Sequence, residues 1–119
     1  MKPGKTGLTR LIHATGYSWK GLKAAYTHEA AFRQEVWTAV VGIPLAFILG
    51  DTALEKLALA GSLVFLMIVE LLNSALEAIV DLASPEFHEL AGRAKDIASA
   101  AVMFALILTG ATWIAIVFF

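Results

Sequence analysis

Residues 57–81 read LALAGSLVFLMIVELLNSALEAIVD, and this stretch decides the fold. Its first thirteen residues carry no charge, whereas the remainder contains Glu70, Asn73, Glu77 and Asp81. On a helix these four side chains and Ser74 fall within an arc of about 100°. A helix that crosses a bilayer core of about 30 Å needs about 20 apolar residues. The stretch therefore predicts a membrane helix whose polar stripe climbs from hydrocarbon into water.

The composition of the whole chain also indicates a membrane protein. The 119 residues are 59% hydrophobic and 16% charged, with a mean hydropathy of +0.76, whereas soluble domains are about 45–50% apolar and about 25% charged. The net charge of −1 gives no reason to expect nucleic acid as a partner. The absence of cysteine excludes disulfides, thiolate metal sites and a cysteine nucleophile.

The apolar runs predict an all-α membrane protein consisting of a single domain, residues 1–119. Lipid-exposed strand edges are not tolerated in a bilayer, and none of the runs alternates as a strand would. We expect a surface helix at about 5–27 and membrane helices at 29–49, 52–83 and 91–118.

The N-terminal stretch has the pattern of an amphipathic helix that lies in the membrane interface. Its apolar arc contains Leu8, Leu11, Ile12, Thr15, Trp19, Leu22 and Tyr26. Basic residues are concentrated before the first membrane helix, at Lys2, Lys5, Arg10, Lys20 and Lys23. Cytoplasmic segments carry an excess of Lys and Arg. We therefore predict a multi-pass membrane protein with a cytoplasmic N-terminus and an external C-terminus.

The polar stripe predicts a functional site, because an intramembrane carboxylate such as Glu70 is costly and usually marks function. Carboxylates such as Glu29 and Glu77 suit Mg²⁺, which binds through one or two carboxylates together with substrate phosphates. Lys95 and Arg10 are suited to anionic phosphates. The chain has no GxxxxGK[ST] phosphate loop and no protein-kinase signature. This chemistry alone leaves three alternatives: a membrane enzyme, an ion-coupled carrier or a purely structural subunit.

Four blocks in order carry a resemblance to a known family: GYSWKGL (16–22), EAAFRQE (29–35), VELLNSALEAIVD (69–81) and HELAGRAKDIASAAV (88–102). Together they resemble the prokaryotic diacylglycerol kinase family over nearly the whole chain. The resemblance implies a homotrimeric helical bundle with active sites shared between subunits. It also implies transfer of the γ-phosphoryl group of MgATP to diacylglycerol, which gives phosphatidic acid and recycles membrane lipid.

The resemblance also implies roles for individual residues. Glu70 would be the general base, supported by Asn73, and Glu29 and Glu77 would hold the metal. The implied nucleotide-binding residues are Arg10, Tyr17, Glu29, Glu77, Glu86, Phe87, His88, Lys95 and Asp96. The implied lipid-substrate residues are Arg10, Ala14, Gly16, Trp19, Lys23, Ala31, Gln34, Glu35, Glu70 and Ser99.

Two residues depart from the family pattern, in which position 87 is often Tyr and position 91 is Ser. Phe87 and Ala91 each lack the corresponding hydroxyl, which affects fine nucleotide contacts and not the reaction. Related enzymes phosphorylate undecaprenol instead of diacylglycerol, and this substrate remains an alternative. The arm that contains Trp19 and the block 29–35 favour the diacylglycerol branch.

Overall fold

The computed structural model describes residues 7–119, which form four α-helices and no strand. The helices are α1 (Gly7–His28), α2 (Ala30–Leu49), α3 (Ala53–Ala83) and α4 (Glu89–Phe118). The last three are long and apolar enough to cross a membrane. The all-helical fold with three potential membrane spans is therefore confirmed. Residues 5 and 6 of the predicted surface helix lie outside the described residues.

The bounds of α3 follow from local hydrogen bonds. The side chain of Thr52 accepts a hydrogen bond from the backbone N–H of Glu55 at 3.1 Å, and the Glu55 carboxylate accepts one from the Asp51 N–H at 2.8 Å. The first bond satisfies a backbone donor that the first turn of a helix leaves free, and the second fixes the residue that precedes the N-cap. The helix ends at Ala83, immediately before Ser84 and Pro85, since proline disfavours a helical conformation in the residue that precedes it.

Helix α3 is longer than the hydrocarbon core of a bilayer is thick. Its 31 residues at a rise of 1.5 Å span about 46 Å, against about 30 Å for the hydrocarbon core. The surplus of about ten residues is long enough to carry Glu77 and Asp81 out of the hydrocarbon. One continuous helix can thus present carboxylates both within the membrane and outside it.

Helix α3 lies between α2 and α4 and packs against both, whereas α1 contacts mainly α2. Leu59 on α3 is fully buried. The Trp113 indole donates hydrogen bonds to the Leu59 carbonyl and the Ser62 hydroxyl, both at 3.1 Å, and Thr109 donates to the Ser62 carbonyl at 3.1 Å. These bonds fix the register of α4 on α3, because polar groups in a membrane interior need internal partners.

The joint between α1 and α2 is a sharp bend at Glu29, whose backbone is extended (φ −116°, ψ 106°). The Arg33 guanidinium donates to the carbonyls of Tyr26 at 2.8 Å and Thr27 at 3.0 Å. Arg33 thereby satisfies carbonyls that the end of α1 leaves free. This arrangement places the Glu29 side chain at the corner where the two helices meet.

Candidate active site

The polar stripe of α3 is held together by one amide. The Asn73 side chain donates to Glu70 Oε2 at 3.1 Å and to Glu77 Oε1 at 3.0 Å. An amide NH₂ group has two donor hydrogens, and ionised carboxylates only accept hydrogen bonds, so the orientation of the amide follows from its partners. Asn73 therefore fixes the two carboxylates, seven residues apart, on one helix face.

Exposure increases along this stripe. Glu70 is only 5% exposed, Asn73 and Glu77 are half-buried, and Asp81 is exposed. Because α3 is continuous through all four positions, the gradient runs along a single rigid helix. Glu70 at the buried end is thus linked to Glu77 through Asn73, and Asp81 is joined to them by the helix alone.

A second carboxyl group faces the buried end of the stripe. The Glu35 carboxyl group on α2 lies close to the Glu70 carboxyl group on α3. Its Oε1 atom is buried and has no hydrogen-bond partner among residues 7–119. A buried polar atom without a partner is unusual and calls for an explanation. This orphaned oxygen beside Glu70 could accept a hydrogen bond from a ligand hydroxyl.

At the open end, a cavity of about 220 Å³ lies between the end of α3 and the start of α4. The Lys95 ammonium forms an ion pair with the Asp81 carboxylate across this cavity. The His88 Nδ1 atom accepts the Leu90 N–H at 3.1 Å and caps α4, which leaves Nε2 as a donor in the neutral ring. The cavity is lined by Val80, Asp81, Ser84, Pro85, Glu86, Phe87, His88, Ala91, Gly92 and Lys95.

A larger apolar groove of about 560 Å³ lies between α1 and the C-terminal half of α3, the half that we predict to lie on the cytoplasmic side. Glu29 lies in its wall together with Ser74 and Ala78 of α3, whereas Glu77 does not line it. Glu77 therefore shares a helical segment with the groove but not the groove itself. Among residues 7–119 no group of three or more His, Cys, Asp or Glu side chains is arranged to hold a metal. Two carboxylates suffice for Mg²⁺ when substrate phosphates complete its coordination.

The structure brings some of the predicted site residues together and leaves others apart. Glu35, Glu70, Asn73 and Glu77 form one group, and the cavity brings Lys95 together with the predicted segment 86–88. Several predicted residues line neither that cavity nor the groove; they are Arg10, Ala14, Gly16, Tyr17, Trp19, Lys23, Ala31, Gln34, Asp96 and Ser99. The roles of all the predicted site residues stay predictions.

Asp81 was not among the predicted site residues, although it lies on the same stripe as Glu70 and Glu77. Its ion pair with Lys95 depends on how α4 returns along α3, and the sequence does not specify that. The position of Asp81 four residues after Glu77 on the same face was the available signal.

The sequence matches a family of known proteins. The family described as prokaryotic diacylglycerol kinase matches residues 16–117. A diacylglycerol kinase of Escherichia coli (strain K12) is 50% identical over 113 residues, covering 95% of this chain and 93% of the relative.

Two further relatives show similar coverage. A diacylglycerol kinase of Haemophilus influenzae is 50% identical over 114 residues, covering 96% of this chain and 97% of the relative. A diacylglycerol kinase of Helicobacter pylori (strain 26695) is 43% identical over 111 residues, with coverages of 93% and 87%. The family match, over residues 16–117, includes all of α2 and α3 and most of α4. The chain belongs to the prokaryotic diacylglycerol kinase family.

Proposed function

We propose that this chain transfers the γ-phosphoryl group of ATP to the primary hydroxyl of diacylglycerol, giving phosphatidic acid and ADP. The observation that best supports this function is a row of hydrogen-bonded side chains on α3. The row starts at Glu70, which is 5% exposed, and continues through Asn73 to Glu77. A lipid alcohol reaches the site from the membrane and a nucleotide reaches it from water. A stripe that crosses the boundary serves both substrates.

Glu70 acts as the general base. Its carboxylate takes the proton of the lipid hydroxyl while the hydroxyl oxygen attacks the γ-phosphorus and the bond to the ADP oxygen breaks. Phosphoryl transfer depends mainly on positioning and charge stabilisation, with a residue that orients the acceptor. Asn73 supplies positioning by fixing the Glu70 carboxylate. The orphaned Glu35 Oε1 is a second acceptor beside it for the lipid headgroup.

Mg²⁺ fits the donor set of the site. Glu29 and Glu77 would hold it, consistent with a hard cation that binds one or two carboxylates and otherwise phosphate oxygens and water. When bound, the ion neutralises charge on the nucleotide phosphates. Asn73 donates to Glu77 at 3.0 Å and so orients that carboxylate, as residues that hydrogen-bond to a metal ligand generally do.

The α3–α4 cavity is the nucleotide side of the proposed site. Lys95 supplies a cation for phosphate oxygens. The exposed Phe87 ring offers a stacking surface, and His88 Nε2 offers a hydrogen-bond donor. Glu86 lies beside them. We assign Arg10, Tyr17 and Asp96 to the same substrate by family resemblance. The lipid side comprises Glu35 with the residues that the resemblance implies, namely Ala14, Gly16, Trp19, Lys23, Ala31, Gln34 and Ser99.

We further propose that the protein acts as a homotrimer in the bacterial inner membrane, with its N-terminus and the α3–α4 connection in the cytoplasm. The excess of basic residues before α2 favours this orientation. Helix α1 exposes Leu8, Leu11, Ile12 and Trp19, as expected of a helix that rests in the interface. Support for the trimer comes from the family resemblance.

A transfer assay tests the proposed function. The purified chain, incubated in mixed micelles with MgATP labelled at the γ-phosphate, should label diacylglycerol far faster than undecaprenol. Faster labelling of undecaprenol would reassign the substrate to the other branch of the family. Absence of lipid labelling, together with solute uptake into sealed vesicles without ATP, would favour the ion-coupled carrier.

A further inference from the structure

The ion pair between Asp81 and Lys95 connects two helices at the mouth of the α3–α4 cavity. Asp81 lies in the last turn of α3, and Lys95 lies in the second turn of α4. Their side chains are 64% and 40% exposed, respectively. Both residues line the cavity. The cation is therefore held at the place where a nucleotide phosphate would enter.

The other ion pair among the described residues has a different character. Arg93 and Glu89 lie four residues apart on α4, at 4.0 Å, with side chains 61% and 85% exposed. This pair neither joins two helices nor lines the cavity. Exposed pairs of this kind contribute little. The contrast indicates that the Asp81–Lys95 pair has a positional role that the Glu89–Arg93 pair lacks.

Lysine needs such a partner because its ammonium sits on a flexible four-carbon stem. An unrestrained lysine loses much side-chain freedom when it binds a ligand. The ammonium has three N–H donors, so a bond to Asp81 leaves two donors for phosphate oxygens. A carboxylate on the rigid α3 helix can thus orient the ammonium and still leave N–H donors for the phosphates.

We propose that Asp81 is a positioning residue for the nucleotide: it holds the Lys95 ammonium over the α3–α4 cavity so that the phosphates meet a preset donor. The inference rests on the proposed function, in which Lys95 belongs to the nucleotide site. In this role Asp81 acts on the nucleotide through Lys95 and not through a contact of its own. Its contribution is to the binding of MgATP and not to the transfer step.

Steady-state kinetics of Asp81→Asn test this role. We expect the KM for MgATP to rise about 5-fold, the factor that corresponds to the upper end of exposed ion-pair strengths. The kcat should stay within about 2-fold and the KM for diacylglycerol should not change. Asp81→Glu should recover most of the affinity for MgATP. Glu89→Gln, which removes the acid of the other ion pair, is the matched control and should leave all three constants unchanged.

The double variant Asp81→Asn with Lys95→Met separates positioning from a general structural effect. If Asp81 acts through Lys95, its substitution should not change the KM for MgATP further in the Lys95→Met background, because coupled residues are not additive. An equal 5-fold rise in both backgrounds would overturn the proposal. So would a fall in KM for MgATP in Asp81→Asn, since that would mean that the carboxylate repels the nucleotide.

The single variants distinguish failure of this inference from failure of the proposed function. An unchanged KM for MgATP in Lys95→Met would remove Lys95 from the nucleotide site, and the inference with it. A raised KM in Lys95→Met, with no change in Asp81→Asn, would overturn the inference alone. KM does not depend on the fraction of protein that is active, so partial misfolding of a variant does not obscure the result.

Discussion

Glu70 is the residue on which the proposed chemistry depends, because it is the most buried acid of the α3 stripe and is held by Asn73 at 3.1 Å. Glu70→Gln keeps the size of the side chain but cannot accept a proton. We expect kcat to fall by about 10²–10⁴-fold, the usual contribution of a general base, with the thermal transition of the purified protein within a few degrees. Retained transfer of labelled phosphate would exclude the base role.

Glu77 differs from Glu70 in its exposure, and its substitution should therefore have a different effect. Glu77→Gln should reduce activity by about 10–100-fold, as loss of a metal ligand or its support does. Because Glu29 and the phosphates still offer oxygen ligands, higher Mg²⁺ should restore part of the rate. A Mg²⁺ titration at saturating ATP measures this, with Glu70→Gln as the variant that Mg²⁺ should not rescue. A defect independent of Mg²⁺ would argue against a ligand role.

Helical periodicity could relate the residues of the site to one another only where they share one helix. Glu70, Asn73 and Glu77 are related by the helical repeat alone, so their common face was predictable. Two other contacts each require two helices in a particular register. They are the contact between Glu35 and Glu70 and the ion pair between Asp81 and Lys95. That register is set by packing such as the bonds of Trp113 to Leu59 and Ser62, which periodicity does not encode.

At the scale of the elements, the short connection between α2 and α3 depends on a glycine. A Cβ atom added to Gly50 would lie 2.8 Å from the Lys56 backbone nitrogen and 3.0 Å from the Ala46 carbonyl oxygen. Both are backbone atoms of helices and cannot move aside separately. We expect Gly50→Ala to destabilise the protein by about 1–3 kcal/mol, as overpacking does.

Thermal unfolding in detergent, followed by circular dichroism, measures the effect of Gly50→Ala. Gly61→Ala is the matched control, because a Cβ there meets nothing in the chain within 4 Å and alanine is the better helix former. The control should unfold at the same temperature as the unsubstituted protein or slightly higher. Equal destabilisation by both substitutions would contradict the steric argument at Gly50.

The helix bounds were more predictable than the helix contacts, since they depend on local signals. Thr52 with Glu55, and Ser84 with Pro85, mark the two ends of α3 in the sequence, and the structure uses both. Helix α4 begins at Glu89, earlier than the membrane span expected from residue 91, because the His88 ring accepts the Leu90 N–H and caps it. Histidine is a less common N-cap than Ser, Thr, Asp or Asn, so the hydropathy of the segment was the stronger signal.

At the scale of the whole molecule, the orientation in the membrane decides whether the site faces ATP. The chain has no cysteine, so single cysteines can be introduced as unique labels. Leu82, near the end of α3, is 86% exposed, and Leu54, in the first turn of the same helix, is 76% exposed. The two positions lie 28 residues apart on one helix, at opposite ends of the predicted span.

We expect a membrane-impermeant thiol reagent to label Leu82→Cys in inside-out vesicles and Leu54→Cys in right-side-out vesicles. The reason is that basic residues are concentrated before α2 and after Ala83, a distribution that favours a cytoplasmic location for those segments. Solubilisation in detergent should expose both cysteines equally and serves as the control for intrinsic reactivity. The reverse pattern of labelling would put the α3–α4 cavity outside the cell, away from ATP, and would contradict the proposed function as well as the orientation.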